Sequence, residues 1–394
     1  MNILVLNAGS SSLKYQLIEM PSQIVKCVGI IERIGVEDAI FTHEKGEQKH
    51  SEVLPILNHE IGLKKVAKTL MDKNIGVISA VDEITAVGHR VVHGGSKFNS
   101  TVVVTKEVKD SIRDLFDLAP LHNPANLTGI EIAETIFTSA QQIAIFDTAF
   151  HQTIPKKAYQ YAIPNEYLEK HDIRAYGFHG TSHKYVSEKA IEYLGKNAKN
   201  IITIHLGNGC SIAAIKNGKC IDTSLGLGPA NGLIMGTRSG DIDHSVIFFL
   251  MKKFNKSAEE VNNLLQKESG MKGLTGYSDL REISEKANNG DVNCQNGLDL
   301  AAYRIKKYIG SYTAALNGLD AIVFTAGIGE NSSLMRKLAC ENLDFLGIDL
   351  DNHKNEIRSK DSREIQKENG RVKILIIPTN EEIEIAKQSY KLLT

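Results

Sequence analysis

Four consecutive apolar residues, Ile3 to Leu6, lead into the small-residue run Asn7-Ala8-Gly9-Ser10-Ser11-Ser12. An alternating segment, Leu13 to Ile18, follows. The pattern predicts a buried strand, a tight turn and a second strand. Asn200 to Ile215 repeats it: an apolar run, the small turn Gly207-Asn208-Gly209, then a second strand. With Asn2 set on Asn200, Gly9 falls on Gly207. The offset is about half the chain, and a repeat of that size marks a duplicated unit. Small residues let a backbone approach a ligand closely, and turn amides with Ser hydroxyls bond phosphate oxygens. Two such hairpins suggest one nucleotide gripped from both sides, although either alone reads equally well as an ordinary β-hairpin.

Apolar residues at helical spacing (Leu63, Val66, Ala67, Leu70, Met71) predict a helix. Lys106 to Leu118 predicts another, burying Val108, Ile112, Leu115 and Phe116. Asn123 starts the next, with Pro124 at its first position and Leu127, Ile130, Ala133 and Phe137 on its inner face. Ser257-Ala-Glu-Glu260 is a capping box, with Gly270 as the stop. Ser278 to Asn288 and Leu298 to Leu316 are further helices, and Thr379-Asn380-Glu381-Glu382 opens the last. Ala321 to Ala326 and Lys373 to Pro378 read as strands. His43, His50 and His59 lie among charged residues and read as surface histidines.

Composition narrows the class. The 394 residues carry 46 basic and 47 acidic groups, a net charge of −1, which gives no general attraction to nucleic acid or anionic membrane. No apolar run reaches membrane-spanning length. The amino terminus enters a strand directly, without the pattern of a secretory leader. Five scattered cysteines without a C-x-x-C pair fit reduced thiols in the cytoplasm. The length suits two cores.

Several charged or polar residues stand where chemistry is expected. Arg90 lies on a predicted strand that runs into Gly94-Gly95; it reads as an edge-strand ion pair or as a fork for a carboxylate or phosphate. His122 precedes a helix start, a place that favours anions. Asp147 interrupts an apolar strand near its end, where a buried carboxylate needs a partner, an ion or a cavity. In Tyr176 to His183 the spacing of His179 and His183 is that of a zinc pair. It lacks the intervening Glu and a third ligand, so Gly180 reads as a turn and Thr181 or Ser182 as a helix cap. Asp222 to Asp243 holds five glycines and a proline and reads as a site loop; within it Arg238 pairs with Asp241 or Asp243, or serves a ligand. Gly327-Ile328-Gly329-Glu330-Asn331 reads as a turn between a strand and a helix capped by Asn331, a nucleotide-binding arrangement.

These stretches together resemble the acetokinase family. The motifs run from N-A-G-S-S-S-L-K through G-H-R-V-V-H-G-G, P-L-H-N-P, F-D-T-A-F-H, G-F-H-G-T-S-H, H-L-G-N-G, G-T-R-S-G-D-I-D and T-A-G-I-G-E-N to P-T-N-E-E, spanning nearly the whole chain. The resemblance implies an α/β fold of two duplicated ribonuclease H-like (actin-like ATPase) domains with the active site in the cleft between them. The expected domains are 1–150 and 151–381, with a C-terminal helix from about 382 to 394 returning to the first. It implies transfer of the ATP γ-phosphoryl to acetate. The alternatives are a propionate or butyrate kinase of the same family, or an actin- or chaperone-like ATPase. By resemblance, Arg90, Asp147, His179 and Arg238 are catalytic. Arg90, Val92, Leu121, His122, Phe178 and Pro229 bind substrate, with Val92 taken to share a strand face with Arg90. Ser10, Ser12, Lys14, His205, Leu206, Gly207, Asn208, Gly209, Asp279, Leu280, Arg281, Gly327, Ile328, Gly329, Glu330 and Asn331 contact ATP or ADP. Asn7 and Glu381 hold Mg²⁺, with Mn²⁺ as an alternative ion. A cytoplasmic homodimer is expected. The chain departs from the family pattern at His244, where Pro is usual, and at Pro229-Ala230-Asn231-Gly232, where Pro-Leu-Glu-Gly is common.

Overall fold

The computed structural model describes residues 1–195 and 197–394. The chain divides into two compact units, Met1–Ala149 with Asn380–Thr394, and Phe150–Thr379. Glu381 therefore belongs to the first unit, not the second. It opens the helix Glu381–Leu393, which packs on the first sheet and fits so closely that a Cβ on Gly88 would meet Ile385 Cγ2 at 2.8 Å.

The first unit is built on β1 (Asn2–Ala8), β2 (Ser12–Glu19), β3 (Ile24–Glu32), β4 (Val36–Lys45), β5 (Gln48–Ile56), β6 (Ile84–Val91), β7 (Val102–Val103) and β8 (Gln141–Phe146). They form one sheet in the order β5-β4-β3-β2-β1-β6-β8-β7. The second unit has β9 (Asn200–Leu206), β10 (Cys210–Lys216), β11 (Lys219–Thr223), β12 (Ala321–Thr325), β13 (Arg363–Glu364) and β14 (Lys373–Ile376), ordered β11-β10-β9-β12-β14-β13. In both sheets the first three strands of the unit are antiparallel neighbours, and two later strands then run parallel to the first. The core order β3-β2-β1-β6-β8 thus recurs as β11-β10-β9-β12-β14. β1 corresponds to β9, as the alignment of Asn2 on Asn200 requires. The fold is two ribonuclease H-like α/β units.

Burial explains why β1 and β9 are apolar without alternation. Helices cover both faces of each sheet's middle, so successive side chains are buried whichever way they point. In the first unit Leu4 and Leu6 pack with Leu63 and Val66 of the helix His59–Leu70 and with Ala133 of the helix Asn123–Ile136. In the second, Val186 and Ala190 of the helix Gly180–Leu194 pack on Ile201, Ala213 and Val323.

One of the three histidines read as surface groups is not. His43 is buried, with Nδ1 2.7 Å from the Tyr15 hydroxyl and Nε2 3.0 Å from the Ile75 carbonyl. Its charged neighbours point to the other side of β4, on which Ala39, Phe41 and His43 form the inward alternation. His59 Nε2 lies 2.7 Å from the Gly9 carbonyl and braces the first hairpin turn. His50 pairs with Glu52 at 3.3 Å near the surface.

Gly270 carries φ 62° and opens the short helix Gly270–Thr275 instead of only stopping the one before. His244 is the first residue of the helix His244–Phe254, with Asp243 as its cap accepting from the Ser245 amide. The missing proline therefore leaves that helix start intact.

Candidate active site

Parallel strands present their carboxyl ends together, and in the first unit that places four of the expected site residues in one cluster. Asn7 is next to last in β1, Arg90 is near the end of β6, and Asp147 follows β8 by one residue. Glu381 is the first residue of the helix Glu381–Leu393. Arg90 joins them all. Its Nη2 donates to Asp147 Oδ2, Nη1 lies 3.4 Å from Asn7 Oδ1, and Nε lies 3.7 Å from Glu381 Oε2. The strand of Arg90 sits between β1 and β8, so the edge-strand account of this residue does not apply.

The electrostatics of the cluster follow from burial. Desolvation pushes the Glu381 carboxyl up to about 7; Asp147 and Glu382 push the same way, and Arg90 and Lys14 oppose them. Burial works against charge on Arg90, but Asp147 and Glu381 outweigh it and raise its pKa. Two carboxylates and an amide oxygen around one guanidinium supply the hard oxygen donors that Mg²⁺ prefers. Lys14 lies directly across the hairpin from Asn7 and is exposed. The turn is closed by a bond from the Gly9 amide to the Ser12 carbonyl, 2.8 Å, with Ser10 and Ser11 exposed.

The segment after Arg90 differs from expectation. β6 ends at Val91, so Val92 lies in a bend and the shared-face argument fails for it. Val92 is nonetheless buried, its amide bonded to Asn126 Oδ1 at 3.0 Å. His122, not Asn123, is the cap position of the helix Asn123–Ile136, and Pro124 is its second residue. The Asn123 side chain, released from capping, brackets His93 instead, accepting from its N–H and donating to its carbonyl, both at 3.0 Å. Leu121 is 62% exposed, so most of its side chain faces solvent.

In the second unit His179 takes the left-handed conformation, φ 56°, as the cap of the helix Gly180–Leu194. Gly180 is therefore helical, and Thr181 and Ser182 lie inside the first turn instead of capping it. Ser182 Oγ is 2.9 Å from both His205 Nδ1 and Thr379 Oγ1. The His179 and His205 rings stack with centroids 4.3 Å apart. Phe178 is buried, and Pro229 partly so.

Arg238 reaches the same place. A Cβ on Gly209 would stand 3.3 Å from His179 Cε1, a tight approach, and 3.7 Å from Arg238 Nη1, an ordinary contact, so both side chains converge on this glycine. The pairing of Arg238 with Asp241 or Asp243 does not occur. Asp241 accepts from the Gly232 amide at 2.7 Å and from the Tyr308 hydroxyl at 2.7 Å, and Asp243 caps a helix. Arg238 instead donates to the Pro229 carbonyl at 3.0 Å and makes no ion pair among the described residues. Burial lowers its pKa, with Cys210 opposing. A half-buried guanidinium without a carboxylate partner is suited to an incoming anion.

Beside these residues lies a cavity of about 1000 Å³. Leu206, Gly207 and Asn208 form one wall, Asp279, Leu280 and Arg281 another, and Gly327, Ile328 and Asn331 a third. His205, Gly209, Gly329 and Glu330 are not in its wall. Asp279 caps the helix Leu280–Asn288, and its carboxylate is held down to about 2 by hydrogen bonds from Arg281. The stretch after β12 is not the turn that its glycines suggest. Ala326–Asn331 is a short helix entered through Ala326 at φ 63°, and Ser332, not Asn331, caps the next.

A model described as the acetokinase family matches residues 2–387. The chain belongs to the acetokinase family. The acetate kinase of Flavobacterium johnsoniae is 61% identical over 393 residues, covering 100% of both chains. The crystal structure of Porphyromonas gingivalis acetate kinase superposes with a TM-score of 0.95 at 43% identity, covering 100% of both. A propionate kinase from Francisella tularensis gives 0.92 at 41%, covering 98% of both.

In this acetokinase one buried residue carries no motif signal. Arg336, 2% exposed, donates from Nη1 to the carbonyls of Gly329 and Glu330 at 2.8 and 2.9 Å. Its other nitrogens bond Asn355 Oδ1 and the Asn355 carbonyl, each at 2.7 Å. It clamps the Gly327–Asn331 wall from behind. In the sequence it is one Arg on an amphipathic helix, with nothing local to set it apart.

Proposed function

We propose that this acetokinase transfers the γ-phosphoryl of ATP to acetate, reversibly, giving acetyl phosphate and ADP. The convergence of His179 and the unpaired Arg238 on Gly209, beside a cavity of nucleotide size, carries this reading. In it, the cavity takes the nucleotide and Arg90 holds the carboxylate. A carboxylate oxygen attacks the γ-phosphorus in line as the bond to the ADP oxygen breaks. Acetate is already ionised at neutral pH, so no general base is required. What remains is to neutralise charge on the equatorial oxygens, and Arg90, Arg238 and His179 are the donors for that. Asn7, Asp147 and Glu381 would hold Mg²⁺, or Mn²⁺ in its place, which neutralises phosphate charge when bound. Asp147 then positions and does not accept a proton.

Val92, Phe178, Pro229 and Leu121 are assigned to the acetate methyl by family resemblance; the 62% exposure of Leu121 makes it the weakest of the four. A methylene in an apolar pocket is worth roughly 1–3 kcal/mol, so propionate should turn over less efficiently and butyrate poorly. Val92→Ala should narrow the gap between acetate and propionate. The check is acid-dependent ADP release, read as kcat/KM for all three acids on both proteins. Butyrate as best substrate would remove the acetate assignment. ATP consumption indifferent to acid would favour an ATPase instead.

We read a second copy of the chain as the partner. The helix His244–Phe254 has no buried residue, and its Phe248, Phe249 and Phe254 are each at least 60% exposed. Such a patch calls for a cover. Sedimentation of Phe248→Asp should give the 43.3 kDa monomer where the parent sediments as twice that mass; a parent already monomeric ends the idea. The five cysteines are free and buried, and among the described residues no helix is long and apolar enough to cross a membrane. With ATP as substrate, we place the protein in the cytoplasm, which cell fractionation checks.

A further inference from the structure

His183 is not in the wall of the cavity, yet it is fully buried four residues from His179. The second sheet explains why. Ser211 on β10 stands directly across from His205 on β9, and Thr203 lies two residues before His205. Residues opposite each other, and residues two apart, share a face. Thr203, His205 and Ser211 therefore all point to the side covered by the helix Gly180–Leu194. The first turn of that helix brings His183 under His179. Between the two imidazoles lies one hydroxyl. Ser211 Oγ is 2.8 Å from His179 Nδ1 and 2.7 Å from His183 Nε2. His183 Nδ1 is 2.7 Å from Thr203 Oγ1.

We infer that Ser211, through His183 and Thr203, is a positioning residue that keeps a proton on Nε2 of His179, the nitrogen turned towards Gly209. This rests on the reading of His179 as a donor to the transferring phosphoryl.

Two proton orders fit a neutral His179, and they differ at the far end of the chain. With Nε2 protonated the buried Thr203 hydroxyl donates to His183 Nδ1. With Nδ1 protonated the chain reverses and that hydroxyl proton has no acceptor among the described residues, which favours the first order. Ser211 is fully buried and has one O–H proton, with the two imidazoles as its partners. In the first order Ser211 donates to Nδ1 of the neutral His179, which leaves the ring proton on Nε2. Ser211 then accepts from His183 Nε2–H, and His183 Nδ1 accepts from the Thr203 hydroxyl. When His179 is an imidazolium, Nδ1–H donates to Ser211 and Nε2 still carries its proton. Ser211 now donates to His183 Nε2, and His183 donates from Nδ1 to Thr203. The chain reverses as a unit, and His179 offers Nε2–H in both charge states. Burial holds His183 neutral, its pKa pushed well below the usual value by desolvation and by His151 and His205, so it switches tautomer without competing for the charge. His205, stacked on His179, and Arg238 are among the other groups facing that ring. A fixed tautomer matters because an oxyanion is stabilised only by a donor already aimed at it.

Ser211→Ala should lower kcat on the order of 10- to 100-fold, the range seen when a group orienting a functional imidazole is lost. KM for ATP should change little, because the hydroxyl does not line the cavity. Ser211→Thr, which keeps the hydroxyl, should recover much of the loss. In a His179→Gln background Ser211→Ala should cost nothing more. Equal losses in both backgrounds would show that Ser211 acts elsewhere and would overturn the inference. If Ser211→Ala fails to fold, Thr203→Val, which keeps the shape and removes only the far hydroxyl, should show a smaller loss that likewise vanishes in His179→Gln. Nitrogen-15 NMR of labelled histidine reads the proton directly. The expected signature is the Nε2–H form of His179 in the parent and a mixed form in Ser211→Ala; an Nδ1–H form in the parent overturns the proposal. Should His179→Gln keep full turnover, the catalytic reading of His179 fails, while the NMR result still decides whether Ser211 sets its tautomer.

Discussion

Arg238→Ala lowers kcat on the order of 10³-fold, the loss expected for an arginine that neutralises a transferring phosphoryl. Its KM for ATP moves far less. Arg238 donates to the Pro229 carbonyl, so its guanidinium is held in place without a carboxylate to consume its charge. Burial has already stripped part of its hydration, as the downward pressure on its pKa records. That cost is recovered when an anion arrives, and charge on the equatorial oxygens is where the transition state differs from bound ATP. Arg238→Lys should restore only a small part, because an ammonium lacks the planar fork. Steady-state kinetics with acetate and ATP provide the check. A variant whose KM for ATP rises in proportion while kcat is unchanged would make Arg238 a ground-state nucleotide contact.

Arg90→Ala loses both activity and stability. Asp147 is fully buried and Arg90 is its cation. Removing one partner of a buried pair costs about 3–5 kcal/mol, since the remaining carboxylate loses the cation beside it. Asp147→Asn should cost less, because a neutral amide still accepts from Arg90 and leaves no orphaned carboxylate. Glu381 adds to the effect. Its carboxyl stands near 7 with Arg90 present, and without that guanidinium desolvation pushes it further up, so it holds its proton at neutral pH. The metal donors would then be partly protonated. Urea denaturation followed by a probe in the first unit measures the stability loss, and kcat/KM for acetate measures the other. Arg90→Ala with unchanged stability would mean that Asp147 finds another partner and that the cluster is less coupled than its geometry indicates.

Much of the fold was legible because its signals are local or periodic. The apolar runs at Ile3–Leu6 and Ile201–Ile204 mark β1 and β9, and the half-chain repeat announces two units of one topology. The glycines at 207 and 209 mark a turn where the backbone must let ligand and side chains approach. Arg90 and Asp147 fell near the strand ends expected of them, whereas Asn7, read as the first residue of the turn, is still in β1, and Asp279, read near a helix start, is its cap. Errors arose where a short stretch has two local solutions. Ser332 and Asn331 both cap helices well, and only the helical turn Ala326–Asn331 chose between them. Charged neighbours concealed His43 because the alternation of a strand, not the local average, decides which side chain is inside.

By itself, then, the sequence determined the duplicated architecture, the strands that carry the site, and the residue types able to neutralise phosphate. Tertiary structure alone decided the partners. It gave Arg90 to Asp147 and Glu381, withheld Asp241 and Asp243 from Arg238, set Arg336 behind the Gly327–Asn331 wall of the cavity, and inserted Ser211 between two histidines. The reason is that periodicity and capping are encoded within a few residues. A partnership such as Arg90 with Glu381 joins positions almost 300 residues apart, and burial and strand register bring them together only after the chain has folded.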